Sequence, residues 1–123
     1  MRALLIVAHG SRRAESNEEV KSLTDQLRIR IEALPQADFG FVDCAFLELA
    51  EPSIEDGMHD CVGKGAREVV ILPYFLSAGR HVAQDIPAIV EQVAATLPAV
   101  KIRIAPYLGS SAGLSNLMLE LAK

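Results

Sequence analysis

Cysteine is scarce in this sequence, which contains only Cys44 and Cys61 among its 123 residues. The two lie far apart and form no C-x-x-C pair, so an iron–sulfur centre or a zinc ribbon has no support. Both fall within apolar patterns. We therefore expect them to be buried free thiols.

Positive charge is also in short supply, because twelve Lys and Arg face sixteen Asp and Glu, for a net charge of −4. This balance argues against general nucleic-acid binding, which favours clustered positive charge. The apolar run near the N-terminus is too short to span a membrane, and no small-residue cleavage pattern follows it. The sequence therefore predicts a cytoplasmic protein with neither a nucleic acid nor a membrane as partner.

What the chain does contain is an alternation of two apolar patterns. Residues 3–8, 39–47 and 68–72 form apolar runs typical of buried parallel strands, and residues 100–104 alternate as in an edge strand. Between these runs, apolar residues recur at helical spacing. The order β-α-β-α-β-α-β-α predicts a single α/β domain over residues 1–123. We expect a three-layer, doubly wound domain with a four-stranded, mainly parallel sheet.

Three side chains that can bind metals follow successive strands of this predicted sheet. They are His9 after the first strand, Glu48 after the second and His81 after the third. Ligands of open α/β sheets bind outside the carboxyl ends of the strands, so these side chains are expected at one edge. Two imidazoles and a carboxylate can bind a divalent transition metal or accept protons near neutral pH. The third histidine, His59, lies off the apolar stripe of its helix and is expected to face solvent.

The segment after the first strand also suggests an anion site. Gly10 permits a tight turn and the close approach of a ligand to the backbone. The amides that follow, together with Ser11, Arg12 and Arg13, can hold a carboxylate or a phosphate. Arg80 can add to the same positive field. The alternative is that these arginines are simply solvated.

A His-Gly pair after the first strand has a second interpretation. Histidine phosphatases and phosphoglycerate mutases carry Arg-His-Gly in that place, and their histidine becomes phosphorylated. In this sequence Ala8 precedes His9, so the phosphate-binding arginine is missing, and the chain is short for that group. This hypothesis predicts a phosphohistidine at His9 and no metal requirement.

Three segments together resemble the class II tetrapyrrole chelatases: AHGSR, CAFLELAEPSI and LPYFLSAGRHVAQDIP. The chain is most similar to the short sirohydrochlorin chelatases of the CbiX and SirB type, over a stretch that reaches about Pro87. The resemblance implies insertion of Co²⁺ or Fe²⁺ into sirohydrochlorin, in cobalamin or siroheme biosynthesis. The metal is then a substrate, and no permanently bound cofactor is expected.

The resemblance also implies roles for individual residues. His9, Glu48 and His81 match the groups that hold the incoming metal and help to remove the two pyrrole protons. The arginines of the HGSRR and GRH segments become candidates for binding the ring carboxylates, because guanidinium pairs well with carboxylate. Phe75 and Leu76 either face the ring or pack into the core.

Chain length bears on the assembly that the resemblance implies. Most class II chelatases have two related α/β halves, whereas this chain has the length of one, so a homodimer is expected. The sequence does not choose between cobalt, iron and nickel, since all three accept imidazole and carboxylate ligands. A non-catalytic metal-binding or metal-delivery protein with the same two histidines and glutamate is the alternative function.

Overall fold

A computed structural model describes residues 1–123 and contains four strands and four α-helices. The elements in chain order are β1 (Arg2–Ala8), α1 (Ala14–Glu32), β2 (Phe41–Phe46), α2 (Ile54–Gly63), β3 (Glu68–Pro73), α3 (Ile86–Ala94), β4 (Lys101–Ile104) and α4 (Gly113–Leu121). The predicted order of strands and helices is therefore confirmed.

All four strands pair in parallel in one sheet of order β2-β1-β3-β4. The four-stranded parallel α/β fold is thus confirmed, and β4 lies at the sheet edge as its alternating pattern predicts. The chain first adds β2 on one side of β1 and then adds β3 on the other side. This reversal creates a topological switch point between β1 and β3, where doubly wound sheets bind their ligands.

Each face of the sheet has its own apolar core, because side chains alternate along a strand. One core packs Leu5, Val7 and Ile71 against α2 and α3, and the other packs Ile6 and Phe46 against α1. The helices therefore lie on both faces, as a doubly wound sheet requires. The extent of the predicted single domain, residues 1–123, stays a prediction.

Local signals set the limits of the helices. Proline cannot continue a helix interior, and Pro35 begins a 3₁₀ turn, Pro35–Ala37, just after α1. Ser53 caps α2, since its hydroxyl accepts a hydrogen bond from the Asp56 amide at 3.1 Å. His59 is exposed on α2, as predicted.

The third α-helix does not begin at the residue that its apolar spacing predicts. That spacing predicts a helix from Val82 onward, but residues His81–Asp85 form one π-helical turn before α3. The Ile86 amide donates to the His81 carbonyl oxygen, five residues back. Single π-helical turns of this kind occur frequently at functional sites.

The last helix does not join either core. No residue of α4 is buried, and its Leu117 and Met118 side chains are 53% and 61% exposed. A helix with an apolar stripe ordinarily buries that stripe, so α4 presents an uncovered apolar surface. None of the helices combines the length and apolar character needed to cross a bilayer.

Both cysteines are free thiols. Cys61 is fully buried between α2 and the sheet, whereas Cys44 is half-buried, so the expected burial is complete for only one of them. Burial away from water, reinforced by the negative charge of Asp43, raises the pKa of Cys61 to about 12. Cys61 is therefore a protonated thiol at neutral pH and packs as a small apolar residue.

Candidate metal and substrate site

The three side chains singled out by their position after a strand meet at the carboxyl edge of the sheet. His9 directly follows β1, the central strand that pairs with both β2 and β3. Glu48 lies two residues beyond β2, and His81 comes at the end of the loop that follows β3. They therefore surround the switch point of the sheet, as the topology predicts.

His9 contacts both of the other side chains. Its Nε2 atom lies 3.2 Å from Oε1 of Glu48, and the centroid of its ring lies 4.6 Å from that of His81 in an edge-to-face arrangement. All three side chains remain accessible, with exposures between 40% and 55%. The cluster is therefore open to a ligand from solvent.

Polar contacts constrain the ring nitrogens of both imidazoles. Nδ1 of His9 donates to the Gly10 carbonyl oxygen at 2.8 Å, and Nδ1 of His81 lies 2.8 Å from Oδ2 of Asp85. In His81 Nε2 is thus the nitrogen left for a metal or a proton, whereas Nε2 of His9 faces Oε1 of Glu48 at 3.2 Å. No three His, Cys, Asp or Glu side chains converge in the geometry of a ready metal site. The cluster supplies suitable donors without a closed cage.

Gly10 makes this juxtaposition possible. Its φ of +92° lies in the left-handed region, and a Cβ atom at this position would lie 1.7 Å from the carbonyl oxygen of Glu48. The Glu48 amide in turn donates to the His9 carbonyl oxygen at 3.0 Å. Gly10 therefore permits close approach of the Glu48 backbone, in addition to the tight turn that the sequence predicts.

The segment after Glu48 is held in an uncommon conformation. Leu49 has a φ of +65°, which is rare for a residue with a branched side chain. The Leu47 amide donates to the Ala8 carbonyl oxygen at 2.9 Å and continues the pairing between the ends of β1 and β2. The backbone of the two strand ends is therefore tied together around the His9–Glu48 pair.

Two amides of the predicted anion site donate hydrogen bonds within the chain. The Ser11 amide donates to Asn17 Oδ1 at 2.9 Å, and the Asn17 amide group donates back to the Ser11 carbonyl oxygen at 2.8 Å. The Arg13 amide donates to the Ser11 hydroxyl at 3.0 Å. The Ser11 and Arg13 amides are therefore already satisfied within the chain, and the anion-binding role of this segment stays a prediction.

The side chains of the three candidate arginines are exposed to solvent. The side chain of Arg13 is 78% exposed and lies 3.6 Å from Glu15, while that of Arg80 is 81% exposed and lies 3.9 Å from Asp85. Arg12 is also exposed. Such loose surface pairs contribute little to stability, so the guanidinium groups can move to another carboxylate at small cost.

The two apolar candidates, Phe75 and Leu76, differ in how deeply their side chains are buried. Phe75 packs against the core and lines a cavity of about 290 Å³ that also contacts His9, Gly10 and Ser11. Leu76 is 67% exposed. Its backbone is supported by Gly109, where an added Cβ atom would lie 1.8 Å from the Leu76 carbonyl oxygen. The loop between β3 and His81 therefore packs closely against the segment that leads into α4.

Two residues of the site were missed from the sequence. Asn17 fixes the loop that follows His9, and Asp85 contacts His81 one helical turn further along the chain. The spacing of four residues between His81 and Asp85 was a usable signal for the second, since residues at that spacing share a helix face. Nothing comparable marks Asn17, which lies six residues from Ser11.

The family model described as CbiX matches residues 3–123, nearly the whole chain. The chain belongs to the CbiX family. Family membership agrees with the AHGSR, CAFLELAEPSI and LPYFLSAGRH segments, which carry His9, Glu48 and His81.

Two curated relatives illustrate the range of this family. The chloroplastic sirohydrochlorin ferrochelatase of Arabidopsis thaliana is 36% identical over 96% of this chain and 48% of its own length. The sirohydrochlorin cobaltochelatase of Sulfolobus acidocaldarius is 31% identical over 100% of this chain and 91% of its own length. The chain thus spans about half of the longer relative and nearly all of the shorter one.

A solved structure agrees with the fold. SirB from Bacillus subtilis with Fe³⁺ superimposes with a TM-score of 0.84 and 28% identity, over 97% of this chain and 45% of that chain. The chain again corresponds to about half of the longer protein.

Proposed function

We propose that this CbiX-family chain inserts a divalent metal into sirohydrochlorin or a closely similar tetrapyrrole. The observation that carries the proposal is the meeting of His9 with Glu48 and His81 at the switch point of the sheet. The reaction belongs to cobalamin or siroheme biosynthesis, depending on the metal. The names of the Arabidopsis and Sulfolobus relatives support the same substrate class.

Metal insertion requires groups that bind the metal and groups that take protons. One divalent ion replaces two pyrrole N–H protons, so two protons must leave as the metal enters the ring. The Nε2 atoms of His9 and His81 and the carboxylate of Glu48 can bind a borderline metal, and each can also accept a proton. We assign these three side chains both roles, with the metal as substrate and no permanent cofactor.

The exposed arginines suit the carboxylates of such a substrate. Arg12, Arg13 and Arg80 lie in the two segments that carry His9 and His81, and a guanidinium group pairs with a carboxylate in a bidentate manner. Gly10 and Ser11 line the adjoining cavity and would contact the ring edge. This set forms the proposed tetrapyrrole-binding residues.

The donor set accommodates Co²⁺, Fe²⁺ and Ni²⁺. Imidazole and carboxylate ligands bind all three, and selection in the cell depends on metal supply as well as on affinity. The relatives named above are a ferrochelatase and a cobaltochelatase, so iron and cobalt are the first metals to test.

An anaerobic absorbance assay with sirohydrochlorin and Co²⁺ or Fe²⁺ tests the proposal. The wild-type protein should accelerate formation of the metallated ring well beyond the spontaneous rate. Metal binding without acceleration would instead favour the metal-delivery alternative. A phosphohistidine at His9, formed without any metal, would favour the histidine-phosphatase alternative, although Ala8 stands where that group carries an arginine.

The chain is also proposed to act as a homodimer. The apolar stripe of α4, formed by Leu114, Leu117, Met118 and Leu121, lies on one helix face and is largely exposed. A second copy would cover this stripe and supply the other half that longer relatives carry in one chain.

The chain is also proposed to lie in the cytoplasm. Its two free thiols are consistent with this location, where thiols stay reduced.

Charge on the α4 stripe should disrupt this dimer. Leu117→Lys is expected to shift the protein from dimer to monomer in sedimentation velocity, because a buried lysine would lack a partner at the interface. Asn116→Lys is the matched control, since it adds the same charge to the opposite face of the same helix. A wild-type protein that sediments as a monomer would contradict the proposed dimer without bearing on the site.

A further inference from the structure

Asp85 places a carboxylate directly behind one of the proposed metal ligands. Its Oδ2 atom lies 2.8 Å from Nδ1 of His81, and the two side chains are 34% and 43% exposed. The π-helical turn His81–Asp85 brings them onto the same side of the chain. The sequence analysis identified His81 as a site residue but did not identify Asp85.

The contact determines the tautomer of the His81 ring. An ionised carboxylate has no proton to donate, so the hydrogen of this bond must reside on Nδ1 of His81. The lone pair of neutral His81 is then on Nε2, the nitrogen not engaged by Asp85. Ligand histidines commonly donate their second N–H to a carboxylate or a backbone carbonyl, which fixes the ring and raises its basicity.

His9 shows the same arrangement with a weaker partner. Its Nδ1 donates to the neutral carbonyl oxygen of Gly10 at 2.8 Å, and its Nε2 lies 3.2 Å from Oε1 of Glu48. The centroids of the two rings lie 4.6 Å apart, so the two histidines belong to one cluster. Of the two, only His81 has a charged partner at Nδ1, and a charge-assisted bond is the stronger constraint.

We propose that Asp85 is a positioning residue that holds His81 in the Nδ1–H tautomer and so presents Nε2 to the incoming metal. Asp85 acts through His81 and does not itself contact the metal or the ring. This inference rests on the proposed function for its biological meaning. The tautomer and the affinity for a metal alone are measurable without any tetrapyrrole.

The first test uses the wild-type protein. Long-range ¹H–¹⁵N correlation spectra report the tautomer of each neutral histidine, and His81→Ala assigns the His81 signals. We expect the Nδ1–H form for His81. A predominant Nε2–H form in the wild-type protein would overturn the proposal outright, whatever the variants do.

The second test compares two variants of Asp85 with a control. Asp85→Ala should weaken Co²⁺ binding about 10–100-fold, the usual effect of losing such a partner, and should leave His81 in a mixture of tautomers. Asp85→Asn should keep the Nδ1–H tautomer and recover part of the affinity, because its amide oxygen still accepts the hydrogen bond. Glu91→Ala removes an exposed carboxylate from α3 and should change neither measurement.

The outcomes separate this inference from the proposed function. If Asp85→Ala stays folded and keeps both the wild-type tautomer and its Co²⁺ affinity within twofold, Asp85 has no positioning role. If Asp85→Ala does not fold, the wild-type tautomer and the Asp85→Asn affinity decide. A wild-type protein that fails to insert metal would overturn the chelatase proposal and leave the tautomer result standing.

Discussion

His9→Ala and His81→Ala should each lower the acceleration of metal insertion by about 10²–10⁴-fold, the usual contribution of a positioned proton-transfer group. Each variant removes one of two imidazoles whose rings lie 4.6 Å apart at the switch point of the sheet. Both side chains are about two-fifths exposed and belong to neither core, so the variants should remain folded.

The double variant should lose little more than either single variant. Groups that act together on one metal and one proton transfer show strongly non-additive effects, because removing one already disables the unit. The measurement is the anaerobic absorbance assay with Co²⁺ or Fe²⁺, and circular dichroism checks the fold.

His59→Ala is the matched control for both single variants. It makes the same substitution at the remaining histidine, which is exposed on α2 and lies outside the cluster. Its insertion rate should equal that of the wild type. If His9→Ala and His81→Ala retain more than half of the wild-type acceleration, the proposed roles of these two residues are wrong.

Gly10→Ala should damage stability and insertion together. A residue with a side chain held at positive φ costs on the order of 1–3 kcal/mol, and the added Cβ atom would lie 1.7 Å from the Glu48 carbonyl oxygen. The segment that carries Glu48 must therefore move away from His9. We expect the free energy of unfolding to fall by at least about 2 kcal/mol, with insertion reduced even where the variant is folded.

Gly63→Ala provides the control for Gly10→Ala. Gly63 is the last residue of α2, and nothing lies within 4 Å of a Cβ atom added there. Alanine is the better helix former, so this variant should be as stable as the wild type or slightly more stable. Denaturant unfolding and the insertion assay measure both variants, and equal results for the two would refute the role given to Gly10.

Much of the fold was open to prediction because the apolar patterns are unambiguous. The run from Ala3 to Ala8 is apolar at every position, as a strand buried on both faces requires, and the structure makes it the central strand. The placement of His9 and Glu48 near each other follows from this topology alone, since parallel strands end at the same edge. His81 follows the same rule, although a long loop separates it from β3.

Contacts that depend on local backbone geometry were harder to predict from the sequence. The loop after His9 was expected to offer free amides, but the Asn17 side chain occupies the Ser11 amide, and no periodicity reports such a contact. The π-helical turn at His81–Asp85 is likewise invisible to a pattern with a period of 3.6 residues, because it shifts the hydrogen bonding by one residue.

The sequence by itself determined the order of strands and helices, the parallel sheet and the three strand ends where His9, Glu48 and His81 lie. It could do so because burial of apolar side chains imposes a period that is readable along the chain. Only the tertiary structure decided that Gly10 admits the Glu48 backbone, that Asp85 engages His81 and that α4 leaves its apolar stripe uncovered. The first depends on residues distant in sequence, the second on a local π-helical turn, and the third on the absence of a packing partner. The apolar pattern along the chain records none of these.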